Sequence, residues 1–443
     1  MGRLFGTDGI RGVANADLTP TLAYDLGRAV GHLLDGAGRS VVVGQDTRRS
    51  GDMLVAALAS GLTAVGCDTV VLGVVTTPCL TFVAGSAGHA AGIMVSASHN
   101  PAEDNGLKVV SGGRKVDAEV EEELERLIFQ AESLPGRRNA ELGRVIRDDA
   151  AVDRYRDHLR QAAGDALHGM RIGIDCANGS AAAIAPGLFD GLGAEVTVLF
   201  AEPDGTNINL HCGSTDPSML ARTVAERGLE IGFAFDGDAD RLIAVDERGR
   251  LVDGDGVMGI CALQRLRDGT LRNGILVTTV MSNGGLERAI EAAGGSMLRT
   301  PVGDRHVLEA MERADAVLGG EQSGHIIFRD RASTGDGMLT AIELVKALRQ
   351  ADGETLSRLA DQVPRLPQVV LNSAVRHKDA WEVDPVFSAA VARAEERLGT
   401  RGRILVRPSG TEPKIRIMVE GERTEEINEI AQELDELAQA RLN

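Results

Sequence analysis

The sequence predicts an α/β fold of four domains, three α/β domains with mixed sheets followed by a smaller α+β domain at the carboxy terminus. Three observations carry that expectation. Short apolar runs alternate with stretches of helical pattern, which is the signature of βαβ units. The 54 glycines supply many tight strand-to-loop transitions. Breaks rich in charge or proline divide the 443 residues into parts close to ordinary domain size.

The first part, 1–152, has strand-like runs at 41–43 (VVV), 69–75 (TVVLGVV) and 92–95 (GIMV), with helical patterns over 20–35, 52–65 and 118–132. It closes in the charged stretch 132–160, where Pro135 and Gly136 interrupt the pattern. The second, 153–252, offers strands at 172–175, 195–200, 231–235 and 242–245 and helices at 154–163 and 218–227; DERGRLVDGDG, 246–256, marks its end. The third, 253–365, has strands at 275–280 and 316–318 and helices at 285–293 and 338–349, and ends where Pro364 and Pro367 break the chain. The last, 366–443, pairs strands at 404–406 and 414–418 with an acidic amphipathic helix from 425 to 442. Each of the first three parts carries a strand followed by a polar, glycine-containing loop: SASHNP, DGDADR and GEQSGH.

Composition excludes several classes. A net charge of −18 argues against a nucleic-acid or anionic-membrane surface, so an anionic substrate must be met by local arginines. No run approaches the length of a membrane span and no apolar leader is present, which leads us to expect a cytoplasmic protein. Gly2 suits a myristoylation signal, but Gly6 stands where that signal needs Ser or Thr. Aromatic residues are only 3%, so the cores are expected from Val, Leu, Ile and Ala. Cysteines 67, 79, 176, 212 and 261 show no zinc-type spacing and read as thiols of a reducing compartment; Cys212, in a polar loop, is a candidate reactive one.

Four segments carry chemistry. In AGIMVSASHNPAEDNGLK, 91–108, an apolar run stops at Ser96 and Ser98, placing hydroxyls just beyond a strand end, where α/β proteins bind ligands. Pro101 stiffens the loop, and Lys108 follows at its far end. A serine capping a following helix is the plain alternative. In FAFDGDADRLIAV, 233–245, Asp236, Asp238 and Asp240 alternate so that all three converge on one hard cation, magnesium, calcium or manganese. An EF-hand is excluded, because Arg241 replaces the turn glycine and the flanks are strands. RPSGTEPKIR, 407–416, sets Arg407 and Arg416 around Ser409, Gly410 and Thr411, donors suited to a phosphate dianion. GGEQSGHII, 319–327, offers Glu321, Ser323 and His325 to sugar hydroxyls or an amine, or forms an ordinary turn. FGTDGIRG and GQDTRRSG add Arg11, Arg48 and Arg49; Arg11 is a candidate to neutralise a transferring phosphoryl group, while the Arg48–Arg49 pair suits solvent as well as function.

With SASHNP, DGDADR, GEQSGH and RPSGTEPKIR in that order, the chain resembles the α-D-phosphohexomutase superfamily, nearly end to end. FGTDGIRG and the Gln322 of GEQSGHII resemble its amino-sugar branch, which feeds cell-wall precursors. The resemblance implies four domains around a central cleft, the last one mobile. It implies that Ser98 works as a phosphoserine and that Asp236, Asp238 and Asp240 hold Mg2+ together with a phosphate oxygen on Ser98. Glu321 and Ser323 would grip sugar hydroxyls, and Arg407, Ser409, Gly410, Thr411 and Arg416 the phosphate not being transferred. Lys108, Arg241 and His325 are the candidates for the proton transfer. The substrate would be a phosphosugar, with glucosamine 1,6-bisphosphate as intermediate and activator, and a homodimer is compatible with this picture. A phosphomannomutase or phosphoglucomutase, a magnesium-dependent phosphatase, or a regulator that binds without turnover stay open.

Overall fold

The computed structural model describes residues 4–6, 8–34, 39–86, 88–409 and 413–443. In the first unit, strands β1 (Phe5–Gly6), β2 (Gly9–Val13), β3 (Ser40–Gln45), β4 (Asp68–Val74), β5 (His89–Val95), β6 (Asp104–Ser111), β7 (Arg114–Lys115) and β8 (Val145–Arg147) form one sheet. Its path runs β1-β2-β6-β5-β3-β4-β8, with β7 paired to β6. Helices α1 (Pro20–Leu33), α2 (Gly51–Ala64), α3 (Thr77–Gly85) and α4 (Ala118–Phe129) cover it. α1 starts because the Thr19 hydroxyl accepts the Leu22 amide and Pro20 tolerates the first turn; Asp117 caps α4 in the same way.

The second unit holds α5 (Ala150–Ala163), β9 (Arg171–Asp175), α6 (Ala185–Gly191), β10 (Glu195–Leu199), α7 (Ser218–Arg227), β11 (Ile231–Phe235), β12 (Leu242–Asp246) and β13 (Leu251–Val252). Its sheet order is β10-β9-β11-β12-β13. The third holds α8 (Gly254–Arg267), β14 (Ile275–Thr279), α9 (Gly284–Ala292), β15 (Ser296–Thr300), α10 (Asp304–Arg313), β16 (Leu318–Gly320), β17 (Ile326–Phe328), α11 (Gly337–Gln350) and α12 (Leu356–Ala360), with order β15-β14-β16-β17. The fourth is a three-stranded sheet, β18 (Gln368–Ala374), β20 (Lys414–Gly421) and β19 (Gly402–Pro408) in that order, packed with α13 (Pro385–Leu398) and α14 (Thr424–Arg441).

The three larger units share one construction. β5, β11 and β16 each have a parallel neighbour on one side (β3, β9, β14) and an antiparallel partner on the other (β6, β12, β17). The three polar loops of the sequence leave the carboxyl ends of these three strands. Side-chain alternation on β3 shows how the cores are divided. Val41 and Val43 join Leu26 and Leu58 in a core private to the first unit, while Val42 joins a core that continues through Tyr155, Phe233, Leu276 and Met338. The fourth unit has its own core around Phe387, Ile417 and Leu434.

Several expectations are corrected. The serine loop runs into a strand, so no helix follows for Ser98 to cap, and Lys108 lies within β6, paired with Met94. β6 is hidden in the sequence because its start, DNG, reads as a turn. The segment 246–256, where the second unit passes into the third, is itself structured: it holds the end of β12, the hairpin to β13 and the first turn of α8, whose Gly254 and Gly256 disguise a buried helix. Cys212 is buried and its thiol is pushed up to about 12 by burial, with Asp175 and Asp216 adding to it, so it is no reactive nucleophile. No helix among the described residues is long and apolar enough to cross a membrane.

Candidate active site

Ser98 is almost fully buried and adopts a left-handed backbone, φ 52°, which side chains tolerate only where their surroundings enforce it. A chain of bonds does so. The Ser98 amide donates to Ser96 Oγ at 3.0 Å, and the Ser96 hydroxyl donates to Asp46 Oδ2 at 2.6 Å. Arg48, fully buried, pairs with Asp46 and donates to the carbonyls of Ser98, Asn100, Pro101 and Asp104. Asn209, from the second unit, donates to the Ser98 and Asn100 carbonyls. Arg48 therefore serves as the buried frame of the loop, and solvent has no part in it.

The Ser98 hydroxyl donates to Asp236 Oδ2 at 2.5 Å, joining the first loop to the second. Asp236, Asp238 and Asp240 bring their ligand atoms within 4.8 Å of one another, all three buried. Burial, with Asp240 and Asp238 beside it, pushes the Asp236 carboxyl well above the usual range. Asp238 Oδ1 and Asp240 Oδ1 are buried without a hydrogen-bond partner. Three hard oxygen donors with unsatisfied lone pairs fit a divalent cation such as Mg2+, which would satisfy both atoms and relieve the repulsion. Thr77 at the start of α3 ties this loop to the first unit, its hydroxyl reaching Asp238 Oδ2 at 2.5 Å and its amide the Asp238 carbonyl at 3.0 Å.

Lys108 Nζ stands 2.8 Å from Asp238 Oδ2 and 3.0 Å from Asp8 Oδ2. Burial works to lower its pKa, but Asp238 and Asp8 outweigh that and hold the ammonium well above its usual value. Lys108 is thus a fixed cation. Arg11 pairs with Asp8 at 2.5 Å and donates to the Ala97 carbonyl and Asn100 Oδ1, both at 3.1 Å. The Arg241 amide donates to Asp236 Oδ1, while its buried Nε has no hydrogen-bond partner, Asp240 Oδ1 lying 3.8 Å away, and its side chain faces a cavity of about 420 Å³.

That cavity is also lined by Arg11, His99, Asp240, Glu321 and His325. Burial lowers the His99 imidazole to about 4, with Arg241 and Arg11 adding to it, so the ring is neutral near pH 7. His325 is buried with Nδ1 3.4 Å from Asp240 Oδ2, and its Nε2 accepts the Gly335 amide at 3.1 Å. Burial acts to lower the ring, whereas Asp240 pulls it up to about 9. Nδ1 therefore carries the proton that faces Asp240, and a second proton on Nε2 would displace the Gly335 amide. Glu321 Oε1 accepts the Gly303 amide at 3.1 Å. Ser323, in contrast, is exposed and does not line the cavity.

Arg407 and Arg416 lie directly across β19 and β20. Burial and the neighbouring Arg416 lower Arg407, and Arg416 Nε is buried without a partner. Two adjacent guanidinium groups with no carboxylate within ion-pair reach among the described residues suit an anion. Ser409 is buried, its carbonyl accepting Lys378 Nζ at 2.5 Å. Gly410 and Thr411 lie outside the described residues. This group is separate from the 420 Å³ cavity, which none of Arg407, Ser409 and Arg416 lines.

Sequence reasoning missed Asp8, Thr77, Asn209 and Lys378, and also Asp304, which lines the same cavity. Only Asp8 had a signal, its place in FGTDGIRG beside Arg11; the others depend on partners far away in the chain.

Comparisons with known proteins agree with this construction. Models of the phosphoglucomutase/phosphomannomutase family match in order: alpha/beta/alpha domain I over 2–135, domain II over 153–249, domain III over 253–366 and the C-terminal domain over 370–437. A phosphoglucosamine mutase of Moorella thermoacetica is 52% identical over 442 residues, covering 99% of both chains. One from Carboxydothermus hydrogenoformans is 48% identical over 98% of each. The crystal structure of a phosphoglucomutase/phosphomannomutase family protein from Burkholderia thailandensis superposes with a TM-score of 0.85 at 29% identity, covering 99% of this chain and 97% of that one. Four domain models in order and relatives of this identity place the fold and its three strand-end loops in one lineage: the chain belongs to the phosphoglucomutase/phosphomannomutase family.

Proposed function

We propose that this chain interconverts glucosamine 6-phosphate and glucosamine 1-phosphate through a phosphorylated Ser98 and a 1,6-bisphosphate intermediate. The observation that carries the reading is the Ser98 hydroxyl bonded at 2.5 Å to a buried aspartate triad with unsatisfied oxygens. The amino sugar comes from the curated relatives, which are phosphoglucosamine mutases at 52% and 48% identity.

In the forward direction the sugar 1-hydroxyl attacks the phosphoryl group on Ser98. A phosphorus–oxygen bond forms to the sugar as the one to Ser98 Oγ breaks, and the hydroxyl proton leaves to a base. The bisphosphate turns over, its 6-phosphate returns to Ser98, and glucosamine 1-phosphate is released. Asp236, Asp238 and Asp240, with Ser98, are the residues that would hold Mg2+, which supplies charge neutralisation during transfer. Lys108, Arg11 and Arg241 add fixed positive charge around the same point. Lys108, held protonated, serves as a cation rather than a base, and His325, bonded through both ring nitrogens, orients Asp240. Arg407, Ser409 and Arg416, with Gly410 and Thr411, would hold the phosphate not being transferred, and Glu321 the sugar hydroxyls, whereas Ser323 stands outside the cavity in this arrangement. A cytoplasmic location belongs to the same reading.

The test is a mutase assay with Mg2+ and a trace of glucosamine 1,6-bisphosphate on glucosamine, glucose and mannose phosphates. We expect the amino sugar to be favoured, chelation to abolish turnover, and Ser98→Ala to lower kcat by at least roughly a thousandfold, as loss of a covalent nucleophile does. Preference for mannose or glucose phosphate would assign a sister activity, and release of inorganic phosphate without transfer would make the enzyme a phosphatase.

A further inference from the structure

Four carboxylates line the 420 Å³ cavity: Asp8, Asp240, Asp304 and Glu321. Two of them are already committed. Asp8 is matched by Lys108 and Lys115, each at 3.0 Å, and by Arg11 at 2.5 Å. Asp240 is bonded to His325 and belongs to the aspartate triad. Asp304 and Glu321 differ, because each keeps an oxygen for something else. Asp304 Oδ1 accepts the Arg305 amide at 2.9 Å, with Lys115 no nearer than 3.7 Å, and Glu321 Oε1 accepts the Gly303 amide. Asp304 Oδ2 and Glu321 Oε2 have no hydrogen-bond partner among the described residues.

Gly303 couples the two. Its φ of 131° is open to glycine almost alone, its amide is held by Glu321, and Asp304 follows it directly as the first residue of α10. The Asp304 side chain keeps 27% of its surface accessible, enough to meet a ligand. Among the other polar residues of the wall, Arg11 and Arg241 are donors suited to phosphate and hydroxyl oxygens. An ammonium group is a donor only, and among these side chains a carboxylate with an oxygen to spare is the partner that also meets its charge.

We propose that Asp304, beside Glu321, recognises the 2-ammonium group of an amino sugar phosphate and sets the preference over neutral hexose phosphates. The inference rests on the reading of the substrate as glucosamine phosphate and deepens it. It makes Asp304 a specificity-determining residue, while Glu321 serves hydroxyls common to all the sugars.

The experiment compares kcat/KM for glucosamine 6-phosphate and glucose 6-phosphate in the wild type, Asp304→Asn, Asp304→Ser, Asp304→Glu and Glu321→Gln, all loaded with Mg2+ and seeded with the matching bisphosphate. Removing a charged hydrogen-bond partner predicts that Asp304→Asn and Asp304→Ser reduce the amino-sugar preference roughly 10- to 100-fold. Asp304→Glu should retain part of the preference, and Glu321→Gln should lower both substrates together. An active wild type whose Asp304 variants keep the ratio, or lose both substrates in parallel, overturns this inference alone. A wild type that turns over glucose 6-phosphate but not glucosamine 6-phosphate overturns the functional reading and this inference with it.

Discussion

Arg48 carries more of the active site than its place beside Arg49 suggests. Five groups depend on it: the Asp46 carboxylate and the carbonyls of Ser98, Asn100, Pro101 and Asp104. Removing one partner of a buried ion pair leaves the other uncompensated, so Arg48→Met should cost about 3–5 kcal/mol in urea unfolding. It should also lower kcat in the folded fraction, because Ser98 loses its enforced backbone. Unchanged stability would show that water can replace the guanidinium. Ser98 and the three aspartates were legible because each stands just beyond an apolar run, where sequence spacing alone brings chemistry to a strand end. Arg48 was not, since two adjacent arginines look alike in a sequence and only the fold buries one. Lys108 was legible as a cation of the site, but its turn-like approach, DNG, hid the strand that aims it.

At the scale of elements, helix α11 shows how a buried carboxyl couples folding to pH. Asp336 caps it, accepting the Leu339 amide at 3.0 Å and the Tyr155 hydroxyl of α5 at 2.9 Å. Burial pushes this carboxyl up to about 6, with those hydrogen bonds only partly opposing it. Because the folded value exceeds the unfolded one of about 3.9, the folded state holds the proton more tightly. The stabilisation is therefore full below about pH 4 and is lost as pH rises through about 6, a change on the order of 2–3 kcal/mol. Asp175 and Asp255, also raised to about 6 by burial, act in the same direction. Asp336→Asn keeps a cap but cannot ionise, so its unfolding free energy should fall less steeply between pH 4 and 6 than that of the wild type. An identical slope would mean that Asp336 ionises in the folded protein as freely as in the unfolded one. Helix periodicity found α11 itself, but nothing local to residue 336 announces a tyrosine from 181 positions earlier in the chain.

The whole molecule divides unequally. One core runs through the first three units, which fixes their three strand-end loops against one another, whereas the fourth unit packs around a core of its own. Its attachment to the third unit includes polar contacts: Arg403 reaches the Val280 and Ser282 carbonyls, buried Glu420 accepts the Gly284 amide, and Arg288 pairs with Glu422. Contacts of this kind can be made and broken without opening a core, so they permit movement that a shared core would forbid. Arg403→Ala should loosen the fourth unit, raising the radius of gyration in solution scattering and the KM for phosphosugar by about tenfold, or 1.4 kcal/mol. An unchanged KM would separate the Arg407–Arg416 pair from substrate binding. The alternation of strands and helices made the α/β class legible, but not this contrast between shared and private cores, which depends on which face of each strand meets which unit.

The central claim is that Ser98 carries the phosphoryl group between the two positions of the sugar. Mass spectrometry of the protein after treatment with glucosamine 1,6-bisphosphate, followed by a single turnover with glucosamine 6-phosphate, tests it most directly. With isotopically labelled phosphoryl oxygens on the bisphosphate, we predict one labelled phosphoryl group on the peptide containing Ser98, absent in Ser98→Ala, which is replaced by an unlabelled one as labelled glucosamine 1-phosphate forms in equal amount. A label that stays on the protein, sits on another residue or leaves as inorganic phosphate would contradict it.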